Sequence, residues 1–109
     1  MKQSQVYFIK DITPENLVRI YEALGATLAG RVAVKLHSGE AGNQNYIRPE
    51  FVKPLIEQIG GTVAECNTAY EGERNTTQKH EALMEKHGWS RHFKVDIMDA
   101  DEDMEIGRA

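Results

Sequence analysis

His37, Glu40, Arg48, Arg74 and His80 are the side chains in this sequence best suited to chemistry, and they fall in two polar stretches. The first reads His37-Ser38-Gly39-Glu40-Ala41-Gly42-Asn43-Gln44-Asn45-Tyr46-Ile47-Arg48. A histidine and a carboxylate three residues apart can ligate a metal or divide acid and base roles, so His37 and Glu40 form the candidate metal pair. The opposing reading is a histidine that caps its own loop by bonding to backbone. Gly39 and Gly42 allow close backbone approach, but they fit neither the P-loop nor the GxGxxG pattern, so glycines alone imply no nucleotide. Arg48 stands at a helix start, where its fork of donors joins free backbone N–H groups in suiting a carboxylate or phosphate. In the alternative it pairs with Glu40 or Glu50 and only fixes the loop.

The second stretch runs from Cys66 to Thr76, with His80 one turn into the helix that follows. Arg74 repeats the theme of Arg48, and two arginines on neighbouring loops speak for an anionic ligand more strongly than either alone. Asn67, Thr68 and Tyr70 supply orienting donors, or else loop-fixing side chains. Cys66 is a nucleophile or ligand only if a helix N-terminus or His80 stabilises its thiolate; a small buried apolar role is the simpler expectation. The candidate ligand set is therefore His37, Glu40, Asn43, Tyr46, Arg48, Asn67, Thr68, Tyr70, Arg74 and His80. No catalytic residue can be assigned.

These stretches need a scaffold, and the apolar pattern supplies one. Val6-Tyr7-Phe8-Ile9 reads as a strand. Thr13-Pro14-Glu15 opens a helix with an N-cap, a proline at N1 and an acid in the first turn. Leu17, Ile20, Tyr21, Leu24 and Leu28 form its stripe, and Gly30 closes it. Arg31–His37 is the second strand. A second helix carries Phe51, Val52, Leu55, Ile56 and Ile59, with Pro54 inside it to bend or restart it. Thr62–Cys66 is the third strand. A third helix with Leu83 and Met84 stops at His87-Gly88, and Phe93–Met98 is the fourth strand. The β-α-β-α-β-α-β order predicts a Rossmann-like α/β fold, with a parallel or mostly parallel sheet of about four strands and three helices. Both polar stretches then leave strands at the carboxyl edge, where open α/β sheets bind ligands. Each is about ten residues long, beyond the ~2–6 that a plain βα loop needs. The returns at Gly30 and Gly60-Gly61 on the opposite edge are tight. Glu65, Lys35 and Asp96 are charges within strand patterns. On a sheet covered by helices on both faces they would need partners, and a place on edge strands or near strand ends is the simpler expectation. Trp89 reads as core.

The 109 residues suit a single α/β domain, 1–109. The formal charge of −4 is local: Asp96, Asp99, Asp101, Glu102, Asp103 and Glu105 crowd the C-terminal end without a base among them, and the rest is close to neutral. No basic face suggests nucleic acid. No signal-like or membrane-spanning run is present, so a cytoplasmic setting without membrane partners is expected. The one cysteine excludes an internal disulfide and an iron–sulfur cluster held by this chain alone.

Three segments resemble the uncharacterised DUF362 family: Val34–Val52, with its His37-Ser-Gly-Glu40-Ala-Gly-Asn43 core; Glu65–Arg74, followed by His80 and His87-Gly88; and Val95–Asp101. The similarity spans essentially residues 5–104. It implies an α/β domain often joined to a ferredoxin-like module with two [4Fe–4S] clusters, and it supplies no catalytic roles. Family members usually continue past the point where this sequence stops, so the chain reads as the N-terminal part of a longer family domain. A partial sheet leaves an open edge, and self-association through that edge or by a swapped element is expected, with a ferredoxin-like chain as the other candidate partner.

Two functions follow. One is a polar site for a small anion or metal-associated ligand at the strand carboxyl edge, in a redox-linked, iron–sulfur-associated family. The other is a non-catalytic accessory module docking on an iron–sulfur or identical partner chain, with the acidic 96–105 segment as its surface.

Overall fold

The computed structural model describes residues 2–100. The elements are α1 (Pro14–Leu24), β1 (Val32–Lys35), α2 (Pro49–Ile59), β2 (Gly61–Glu65), α3 (Thr77–Lys86), α4 (Trp89–His92) and β3 (Val95–Ile97). The strands form a parallel sheet in the order β1-β2-β3, with Val34 opposite Val63 and Val63 opposite Val95. The chain is thus a mixed α/β fold with an open parallel sheet, the Rossmann-like class expected.

Local chemistry explains the helix ends. The Thr13 hydroxyl accepts from Asn16 N at 3.1 Å, Pro14 takes the first helical position, and Gly25 ends α1 at φ 70°. The expected stripe to Leu28 is therefore cut short; Leu28 lies past the stop and is 50% exposed. Helix α2 runs unbroken through the exposed Pro54 to Gly60, where φ is 64°. Gly88 stops α3 as expected but at once opens α4, a short turn of helix that sinks Trp89 to 0% exposure.

The expected first strand is not in the sheet. Residues Val6–Ile9 form neither helix nor strand, with Val6 88% and Phe8 87% exposed, so among the described residues the sheet has three strands rather than four and the helices number four rather than three. A short edge strand gains few ladder bonds, and here the segment instead lies along α1: Gln5, Val6 and Tyr7 share an apolar trough of about 460 Å³ with Leu17, Ile20, Tyr21, Leu24 and Leu55.

Because the strands step in one direction, right-handed crossovers leave their helices on one face. The core sits there, as Ile56, Met84 and Trp89 pack on Val63 and Ile97, with Val34 and Val95 at the margin. Alternate residues on the other face, Ala33, Lys35 and Asp96, are exposed. The strand order does not reverse among the described residues, so the carboxyl edge owes its polar cluster to the two long loops.

Candidate functional site

Glu65 ends β2, the central strand, and is fully buried. A carboxylate taken out of water needs partners, and Glu65 has them on every side. Lys35 Nζ, from the end of β1, donates to Oε1 at 2.8 Å. The Ser38 hydroxyl and amide donate to Oε2 at 2.8 and 3.2 Å, and Arg74 Nη2 donates to the same oxygen at 2.8 Å. His80 Nε2 stands 3.5 Å from Oε2 and 3.3 Å from Ser38 Oγ. Burial alone would raise the Glu65 pKa; the bonds from His80, Lys35 and Ser38 outweigh it and hold the carboxyl well below the usual carboxylate range.

Arg74 links this floor to a more open rim. Its side chain is 6% exposed, and its second donor, Nη1, gives a 2.6 Å bond to Glu40 Oε1. Burial acts against the guanidinium charge, but Glu40 and Glu65 together raise the Arg74 pKa. Tyr70 Oη donates to the same Glu40 oxygen. That bond first, then Arg74, lowers the Glu40 pKa against the cost of its desolvation, and it raises the pKa of Tyr70. His37 completes the rim: Nε2 lies 3.1 Å from Arg74 Nη1 and 4.0 Å from Glu40 Oε1, while Nδ1 accepts from Gly39 N at 3.0 Å. His37 thus caps its own loop and faces the cluster at the same time.

Of the sequence candidates, His37, Glu40, Tyr70 and Arg74 meet directly. Asn67 and His80 join from below: Asn67 Oδ1 is 3.2 Å from His80 Nδ1, and Asn67 Nδ2 donates to Thr77 Oγ1 at 2.9 Å. Thr68 shapes the loop, its N–H bonded to Arg74 O at 2.8 Å and its hydroxyl to Tyr70 O at 3.1 Å. Asn43, Tyr46 and Arg48 stand apart. Asn43 Oδ1 accepts from Asn45 N, a turn-fixing contact. Tyr46 stacks on His87 with ring centroids 4.3 Å apart. Arg48 lies over the outer face of Tyr46 and donates to Gln44 O at 2.6 Å, pairing with neither Glu40 nor Glu50. The two arginines therefore do different work; only Arg74 enters the cluster.

Sequence reasoning left Glu65, Ser38 and Lys35 outside the site. A glutamate closing an apolar strand, one register step beyond the lysine that closes its neighbour, was the signal available. Trp89 also contributes, donating from Nε1 to Ser38 O at 2.9 Å, where His87 Nδ1 also sits at 3.0 Å. Gly39 makes this packing feasible: at φ 101°, a Cβ there would stand 2.6 Å from the Tyr46 ring. Cys66, expected to be buried, is exposed. It turns out of the sheet end, while its N–H reaches Glu65 Oε1 at 3.3 Å.

The donor sets weigh against two cofactors. A [4Fe–4S] cluster takes four thiolates, and Cys66 is the one cysteine of the chain. Arg74 Nη1 sits beside both His37 Nε2 and Glu40 Oε1. Among the described residues no three His, Cys, Asp or Glu are arranged to hold a metal ion. Nor is any described helix long and apolar enough to cross a membrane.

No curated protein and no solved structure matches the chain. The family described as "Domain of unknown function (DUF362)" matches residues 32–106, from β1 through the acidic segment, and so leaves α1 and the residues before it outside the resemblance. With both polar loops and the whole sheet inside that match, the chain belongs to the DUF362 family.

Proposed function

We propose that the rim of the Arg74 cluster is a binding site for a small oxyanion, a carboxylate or phosphate, and that Glu40 holds the place of that ligand when it is absent. The supporting observation is the convergence of donors on one exposed position. Glu40 Oε1 receives Tyr70 Oη and Arg74 Nη1. His37 adds a third donor direction: with Nδ1 accepting from Gly39 N, a neutral imidazole carries its proton on Nε2, facing Arg74 Nη1 at 3.1 Å. Two N–H groups that face each other want an acceptor between them, and an incoming oxygen can bridge them as Glu40, 4.0 Å from Nε2, does not. Glu40 is 35% exposed on a glycine-flanked loop, whereas Glu65 is immobilised below. The rim can therefore exchange its carboxylate while the floor keeps Arg74 aimed.

Titration with malonate and with inorganic phosphate, followed by amide chemical shifts, tests this reading. Wild-type chain is expected to bind in the millimolar range, about −4 kcal/mol, with shifts centred on His37, Tyr70 and Arg74. Glu40→Ala, which vacates the cradle, should bind about tenfold more tightly, roughly 1.4 kcal/mol, and adding Tyr70→Phe should remove part of that gain. Absence of wild-type binding would show that Glu40 is a permanent structural partner and overturn the proposal.

The helix-free face of the sheet favours a second role, as a module that docks on another chain. Parallel sheets are ordinarily covered on both faces, and here a shallow cavity of about 340 Å³ opens over Ala33, Ala64 and Asp96.

A further inference from the structure

The molecule holds two unmet backbone needs of the same kind. Strand β1 pairs with β2 on one side, and among the described residues no strand pairs with its other side. Residues 2–12 make no backbone–backbone hydrogen bond with any described residue. Yet Val6-Tyr7-Phe8-Ile9 has the side chains of a strand and already shows its period: Val6 and Phe8 are 88% and 87% exposed, Tyr7 41%, and Ile9 is half-buried. An apolar segment of strand-like composition outside the sheet and a sheet edge without a neighbour are complementary surfaces on one chain.

We infer that Val6–Ile9 of a second copy adds to the free edge of β1, and that two copies exchange these segments reciprocally about a two-fold axis. Pairing between copies asks less of the chain than pairing within it. The segment lies beside α1, where Tyr7 lines one apolar trough with Leu17 and Ile20, and α1 packs on α2. Reaching its own β1 would strip Tyr7 from α1. A strand pairs through its backbone edges, so a second copy's β1 can approach from the side while Tyr7 keeps its place in the trough beside α1. The exchange gives each sheet a fourth strand and covers Val6 and Phe8, and reciprocity makes the contact twice and closes the assembly at two copies. Open edges and exposed apolar runs are otherwise liabilities that folds cover or charge. This inference stands apart from the anion site, which lies at the strand carboxyl ends.

Light scattering of the full chain from about 1 µM to about 1 mM tests it, since the mass of a reversible dimer depends on concentration. A rise from monomer to dimer mass is expected, with amide-exchange protection appearing together at residues 6–9 and 32–35. The double variant Val6→Lys, Phe8→Lys alters exposed side chains only, so its circular dichroism should match wild type while its mass stays monomeric. A wild-type chain that is monomeric throughout overturns the inference. So does a variant that dimerises like wild type, or protection of residues 6–9 in the monomer, which would place the segment on its own β1.

Discussion

Two glutamates share one arginine, and they differ in almost everything else. Glu65 lies at 0% exposure on the central strand and takes bonds from Lys35, Ser38 and Arg74. Glu40 lies on a loop, 35% exposed, and takes bonds from Arg74 and Tyr70. The buried carboxylate cannot move without stranding charges in a dry interior, so it sets the position of Arg74. The exposed one has water as an alternative partner, so it can leave. Floor and rim are thus a fixed part and an exchangeable part of one ionic network, and the comparison can be broken from either side.

The largest effect is expected from the floor. Glu65→Gln keeps the shape but removes the charge that faces Arg74 and Lys35. Removing one partner of a buried ion pair commonly costs about 3–5 kcal/mol, so denaturant unfolding should show a loss of that order. A loss below about 1 kcal/mol, the usual range for surface changes, would place Glu65 in a wetter setting than its burial indicates.

That network also shows what a linear reading can and cannot reach. Most helix termini were legible because their causes are local: Thr13 caps Asn16 three residues on, and Gly60 and Gly88 adopt positive φ where α2 and α3 stop, whereas α1 stops at Gly25 and not at the expected Gly30. The alternation of strands and helices located both polar loops at one sheet edge. Val6–Ile9 was misassigned because its strand pattern is local whereas pairing is not; the segment lies on α1 instead. Glu65 was hidden for the same reason, since Lys35 and Ser38 approach it from 30 and 27 residues away. Arg48 and Arg74 look equivalent as letters near helix starts. The stack of Tyr46 on His87 separates them, holding Arg48 on its outer face while Arg74 reaches Glu65 from the other loop.

Acid should expose the same asymmetry with a smaller effect. Both carboxyls are held below the usual carboxylate range in the folded chain. A depressed folded pKa contributes stability that is present above the unfolded value, near 4.3 for glutamate, and is lost as pH falls through the folded one. Wild-type melting temperature should therefore decline below about pH 4.3. Glu65→Gln should show a flatter acid limb, because its main contributor is gone at every pH. An unchanged slope in that variant would move the acid sensitivity to other carboxylates.

The smallest expected effect is the one that separates an exchangeable rim from a second structural layer. Glu40→Ala removes a partly exposed ion pair, and such pairs are worth about 0–1 kcal/mol. Thermal unfolding of this variant near neutral pH should then fall within that range of wild type, with the acid limb nearly intact because Glu65 still supplies it. A loss approaching that of Glu65→Gln would mean that Arg74 depends on both carboxylates for its place. The rim would then be as fixed as the floor, and no ligand oxygen could take Glu40's position without loosening the loops that carry His37 and Tyr70.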